Sequence, residues 1–154
     1  MRNATLTFIL LLALLLWAGM ILGISFLEAP VKFTAPNITL ALGLGIGRLV
    51  FGWLNKCELV FCAILLIGLL FNRAYGKAWV PAIILATILL FQTFWLLPAL
   101  DVRAVQIIAG HTPPPSNLHF GYVALELLKV MLLLFTAFTV YRQQLASVRA
   151  TALS

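Results

Sequence analysis

Charge is what this sequence has least of. Only 9% of its 154 residues are charged, with four acidic side chains against ten basic ones. A water-soluble domain carries about 25% charged residues, so too few polar groups exist here to cover a water-facing surface. Four carboxylates also leave little material for a multi-carboxylate metal site. The two cysteines, Cys57 and Cys62, stand five apart. That is roughly 140° around a helix, which suits neither a local disulfide nor a shared metal. The Gly-rich nucleotide loop, the nucleophile elbow and the paired-histidine zinc helix are absent too. No low-complexity tract, long linker or internal repeat divides the chain, and its length fits one domain.

What is there is apolar. Hydrophobic residues make up 64% of the chain and the mean hydropathy is +1.13, so lipid is the solvent that fits. The formal net charge of +6 raises nucleic acid as a partner. However, the basic residues are scattered singly and form no polybasic run, which argues against it. They are better read as anchors for helix ends at a membrane surface.

The first apolar run, Thr5 to Leu27, contains no charge and is long enough to span a bilayer, which takes about 20 residues. It outlasts the apolar stretch of a signal peptide, about 7–15 residues, and continues without a small-residue cleavage site, so a retained helix is expected. Glu28 to Thr39, with Pro30, Pro36 and Lys32, predicts an irregular connection, because proline lacks a backbone donor. The sequon at Asn37 to Thr39 is a short pattern that arises easily by chance. Next comes a Gly-rich stretch with Gly43, Gly45, Gly47 and Gly52 around Arg48. It is read as an amphipathic or re-entrant helix over 39–54, kinked or interfacial, leading into a second span. Asn72 to Ala78 is a short polar turn. The third span is bracketed by Trp79 and Pro98, with Pro81 in its first turn, where a missing donor costs little. Asp101 to Pro115 reads as a long polar connection, and Ser116 as an N-cap.

The expected architecture is thus an all-α integral membrane four-helix bundle, with spans over about 5–27, 55–72, 79–100 and 117–141, the last extending towards Leu145. An even number of spans puts both termini on one side. Arg2, Arg73, Lys77, Arg142 and Arg149 would share that side, against Lys32, Arg48, Lys56 and Arg103 on the other. By the positive-inside rule this bias points to cytoplasmic termini.

Charged groups inside a membrane helix are costly, so each is a functional candidate. On the fourth helix His119, Tyr122, Glu126 and Lys129 fall within an arc of roughly 80°. Glu126 and Lys129 are spaced for a local pair. Val130 to Tyr141 then carries no charge and rises about 18 Å, which places Lys129 deep in the hydrocarbon layer and pointing into the bundle. If the Gly-rich region is continuous with the second span, Arg48, Asn55 and Glu58 form a matching stripe. Glu58 is expected to approach Lys129, and Arg48 to approach Glu126 or Asp101. Such charges act either as ion pairs that pin helix register or as the lining of a polar cavity for a proton, ion or solute.

Other residues rank lower. His111 and His119 flank the Pro-rich connection and could ligate haem, but no acidic or thiol partner stands near them, and no metal or cofactor is expected. Gly19 with Gly23, and Gly43 with Gly47, make small-xxx-small steps that allow close helix approach, within the bundle or in a homo-oligomer. Trp17, Trp53, Trp79 and Trp95, with Tyr75 and Tyr141, read as the aromatic belt of a membrane protein.

Several segments, namely Gly23 to Phe33, Gly47 to Phe51, Asp101 to Arg103 and His119 to Tyr122 with Glu126 and Lys129, carry a resemblance. In them the chain resembles a family of small, uncharacterised four-helix bacterial inner-membrane proteins of unknown function. The resemblance implies a four-helix fold in the bacterial cytoplasmic membrane and says nothing of a substrate. The expected function is a non-enzymatic accessory or assembly component, in contact with the lipid bilayer and other membrane proteins. The alternatives are a small proton-coupled transporter using the Glu/Lys/Arg cluster, and a haem-binding redox subunit.

Overall fold

The computed structural model describes residues 4–152, without the side chains at 73, 74 and 150–152. Arg2, one of the orientation residues, lies outside the described residues, as does the side chain of Arg73. Among the described residues, four helices are long and apolar enough to cross a membrane. They are α1 (Ala4–Thr34), α2 (Leu40–Phe71), α3 (Tyr75–Ile108) and α4 (Leu118–Ala152). Each packs against its neighbour in sequence, and α1 packs against α4 to close the ring. Helices this long joined by short links must run antiparallel. Ala4, the α2–α3 turn and the end of α4 therefore share one face, here the terminal face. The links at 35–39 and 109–117 form the opposite, loop face.

Three boundaries differ from the sequence reading, each for a local reason. α1 does not stop at Glu28 but continues past Pro30 to Thr34. A proline in a helix cannot donate to the carbonyl four residues back, and its ring crowds that carbonyl. Here a π-helical turn, Leu22–Glu28, ends two residues before Pro30 and moves each bond on by one residue, so the crowded carbonyl can pair with the residue after proline. α3 repeats the device. Its π turn, Gln92–Leu96, precedes Pro98, and the helix runs through Asp101 and Arg103 to Ile108. Thus most of the expected polar connection after residue 100 is helix. It ends where Gly110 adopts a positive φ of 83° and the Gly110 and His111 N–H groups cap the carbonyls of Ile107 and Gln106, as glycine-ended helices do.

The Gly-rich stretch is not a separate re-entrant element. α2 is one helix of 32 residues, begun by Thr39, whose hydroxyl accepts from the Leu42 N–H. Upstream, Ala35 is extended (ψ 139°), as the residue before Pro36 is constrained to be. The glycines fit α2 against the end of α1. A Cβ at Gly43 would run into the Phe33 ring, and one at Gly47 would lie 3.1 Å from Lys32 Nζ.

Below the bundle's midpoint, towards the terminal face, the interior is mostly apolar, with Thr7, Tyr75 and Thr136 as its buried hydroxyls. Leu10, Leu14, Leu65, Leu69, Leu85, Leu89, Leu133 and Val140 meet there. Leu10 presses on Gly68, where a Cβ would lie 2.5 Å from the leucine methyl. The exterior is greasy throughout: Phe71 is 81% exposed and Phe94 77%, whereas Glu126 and Lys129 are 0% exposed. Apolar outside and charged inside is the reverse of a water-soluble protein and is the arrangement lipid favours.

Candidate functional site

The buried charges converge on one network near the middle of the bundle. Gln92, one of its members, stands 17 residues after Tyr75 and 16 before Ile108, the two ends of α3. Lys129 on α4 donates to Glu58 of α2 at 2.5 Å and to Glu126, one turn earlier on α4, at 2.8 Å. The indole N–H of Trp17 on α1 donates to the same Glu58 oxygen at 2.8 Å. Gln92 on α3 donates through its amide to Glu126 Oε1 at 2.9 Å. Ser25 on α1 donates to Glu126 Oε2 at 3.2 Å. All four helices are therefore tied through two carboxylates and one ammonium.

The local backbone explains two of these contacts. Ser25 lies in the π turn of α1 and Gln92 begins the π turn of α3. An added residue in a turn rotates the rest of the helix by about 100° relative to an unbroken one. Both altered turns present a polar side chain to the same glutamate. π turns inside α-helices are frequent at functional sites.

Two polar atoms in the network are left over. Gln92 Oε1 and the Tyr122 hydroxyl are buried without a hydrogen-bond partner. Glu126 and Ser25 stand within hydrogen-bonding reach of that hydroxyl, although neither makes a well-formed bond to it. The Tyr122 ring is held edge-on against Phe51 of α2, with centroids 5.4 Å apart. Charge would be unbalanced with both glutamates ionised. Two ionised carboxylates and one ammonium leave one negative charge, and every group is nearly out of reach of solvent.

The residues singled out from the sequence divide into two groups. Glu58, Tyr122, Glu126 and Lys129 come together. Arg48 and Asn55 lie on α2 nearer the loop face and bond to α3 instead. Arg48 makes a two-pronged bond to Asp101, at 2.5 and 3.1 Å, with both side chains partly exposed. Asn55 donates to Thr93 at 2.9 Å. His119 does not join the cluster. It is exposed, as is His111, because α4 only begins at Leu118 and its first turn lies beyond the packed part of the bundle. Gly43 and Gly47 meet side chains of α1's end, whereas a Cβ added at Gly19 or Gly23 would have nothing within 4 Å.

Three participants escape the sequence reading: Trp17, Ser25 and Gln92. Trp17 is not a belt residue but a core one, fully buried, where an indole N–H needs a partner. Tyr75 is likewise buried, its hydroxyl 2.5 Å from that of Thr7 and 3.2 Å from Gln144 Oε1. The signal that could have found Ser25 and Gln92 is a small polar interruption of an otherwise apolar run.

No family model, curated protein or solved structure matches the chain.

Proposed function

We propose that the chain is a small, non-enzymatic, multi-pass protein of the bacterial cytoplasmic membrane, with both ends on the cytoplasmic side. In this reading the Glu58–Lys129–Glu126 triad is the coupling centre of a carrier driven by a proton or another cation. The observation that carries it is one ammonium shared by two buried carboxylates. A surplus negative charge in a low-dielectric interior is too costly to stand alone, so the centre takes up one further positive charge. A site that must gain and lose a charge inside a membrane is what cation coupling requires.

The test is reconstitution into vesicles with an imposed proton or sodium gradient, reading charge movement on a supported membrane. Wild-type protein is expected to move charge, and Glu126→Gln to lose that signal while yielding normal amounts of protein. If Glu126→Gln lowers the yield and wild-type vesicles behave like empty ones, the triad only holds the fold.

That outcome favours the second reading, an accessory or assembly component. Gly19, exposed on α1 with nothing within 4 Å of where a Cβ would stand, supports it, since small residues let a partner helix approach closely in lipid.

A further inference from the structure

We propose that Glu126, Ser25, Gln92 and Tyr122 form a binding site for one desolvated alkali cation beside the lysine-bridged carboxylates. The inference rests on the coupling-centre reading above and names the charge that the centre takes up.

The side chains around the Glu126 carboxylate supply four candidate oxygen ligands from three helices. They are its own Oε2, the Ser25 hydroxyl bonded to it at 3.2 Å, Gln92 Oε1 and the Tyr122 hydroxyl. The last two are buried and unpartnered, although Gln92 is 1% exposed and Tyr122 3%. Buried polar atoms without partners are rare in folded proteins, and each one calls for a ligand, water or ion. The amide of Gln92 is anchored, because its nitrogen donates to Glu126 Oε1. Its oxygen is therefore held beside the same carboxylate. Phe51 fixes the Tyr122 ring from the other side.

The chemistry of the donors selects the ligand. All are oxygens, which suits a hard cation and not a soft transition metal. No group of three or more histidine, cysteine or acidic side chains is placed to hold a metal ion among the described residues. The surplus charge is a single negative one, so a divalent ion would replace one imbalance with another. A proton on either glutamate would neutralise the charge without giving Gln92 Oε1 a donor in the orientation seen, where the amide nitrogen faces Glu126 Oε1. A monovalent cation answers the charge and both orphaned oxygens at once. It also separates the roles of the two carboxylates. Glu58, held by Lys129 and Trp17, is the fixed partner, and Glu126 is shared between lysine and ion. The titratable groups around the site are Glu126, Lys129 and Tyr122 on α4 with Glu58 and Cys62 on α2. α1 and α3 contribute the neutral Trp17, Ser25 and Gln92.

The experiment uses the full chain in detergent at constant ionic strength, with choline replaced stepwise by Na+ or K+, reading thermal unfolding. The expected result is a saturable rise in the unfolding midpoint with one of the two alkali cations and none with choline. At ten times the dissociation constant the folding equilibrium should shift about tenfold. Gln92→Met and Tyr122→Phe, which keep shape and remove one oxygen ligand or its hydroxyl, should weaken the response. Binding of radioactive Na+ to wild-type protein, one per chain, gives the same answer if either variant fails to fold. A midpoint indifferent to both alkali cations but dependent on pH in choline buffer overturns the cation site and assigns the charge to a proton, leaving the coupling centre intact. A midpoint indifferent to cations and pH alike defeats both readings.

Discussion

The two halves of this bundle are held together by different means. Towards the terminal face, leucines and alanines of all four helices interdigitate around Leu10, Leu65, Leu85 and Leu133. At and beyond the midpoint, the same four helices meet through Lys129, two glutamates, a serine, a glutamine and a tryptophan. In water the apolar half would dominate stability. In lipid it does not, because hydrocarbon tails are as apolar as leucine and only packing differences remain. The polar half has no such substitute in its surroundings, since a separated helix would carry Glu58 or Lys129 into hydrocarbon. The segments beyond the π turns continue the contrast. Leu97–Ile108 buries no residue, nor does Ala29–Val31. The loop-face arms of α1 and α3 thus lie against α2 without a fully buried residue of their own in these segments, and an open groove of about 480 Å³ separates α3 from α4 beside Phe91, Trp95, Gly121 and Leu125.

The largest effect should therefore come from Lys129. Breaking a buried ion pair by removing one partner costs about 3–5 kcal/mol, and here two carboxylates are stranded. Lys129→Met is expected to lower recoverable protein and its resistance to unfolding severely, and Leu133→Ala, in the apolar half, only modestly. Yield and unfolding by a denaturing detergent measure both. Equal losses would remove the distinction between the halves. The swapped pair Glu58→Lys with Lys129→Glu keeps the charge count and should recover protein lost in the single variants.

Next in size is the Trp17 contact. Trp17→Phe leaves the ring volume largely filled but withdraws the N–H from Glu58, and a buried charged acceptor that loses a donor costs about 1–3 kcal/mol. Detergent-induced unfolding should report a loss smaller than that of Lys129→Met. Gly68→Val tests the apolar half by overfilling it. Its Cβ would press on the Leu10 methyl, and overpacking costs about 1–3 kcal/mol. The same change at Gly19, where nothing lies within 4 Å, should leave the isolated chain unaffected.

The contrast between the halves is only partly legible in the sequence, and the limit is set by periodicity. Four apolar runs announce four helices, because no other element in a chain without barrel strands can satisfy its backbone in lipid. Glu58 with Lys129 and Glu126 with Lys129 are legible as well, because intramembrane charges are few and must pair, whereas the sequence leaves Arg48 between Glu126 and Asp101. Ser25 and Gln92 are not. Each is a small polar signal in a long apolar run, and each sits in a π turn, where counting at 100° per residue loses its phase and cannot say which way the side chain faces. The same turns hide the true ends of α1 and α3, since Pro30 and Pro98 look like breaks until the widened turn before them is known. Trp17 is misplaced because an indole at a membrane surface and one bonded to a buried carboxylate look alike in sequence.

The smallest effect among the polar contacts belongs to Arg48, and it sharpens the comparison because the bond there is the same in kind. Arg48 and Asp101 make a two-pronged ion pair between α2 and α3, geometrically better than any bond Lys129 makes. Yet both side chains are partly exposed near the loop face, where water and salt screen the attraction and either partner can be solvated alone. Arg48→Ala is expected to change yield and unfolding little at physiological salt, with a difference from wild type that shrinks further as salt is raised. Lys129→Met should show no such dependence on choline chloride, because diffuse screening by an ion that does not bind is weak at groups with no exposed surface. If the Arg48 variant proves as damaging as the Lys129 one, then desolvation is not what separates the two halves, and ion-pair geometry alone would have to account for both.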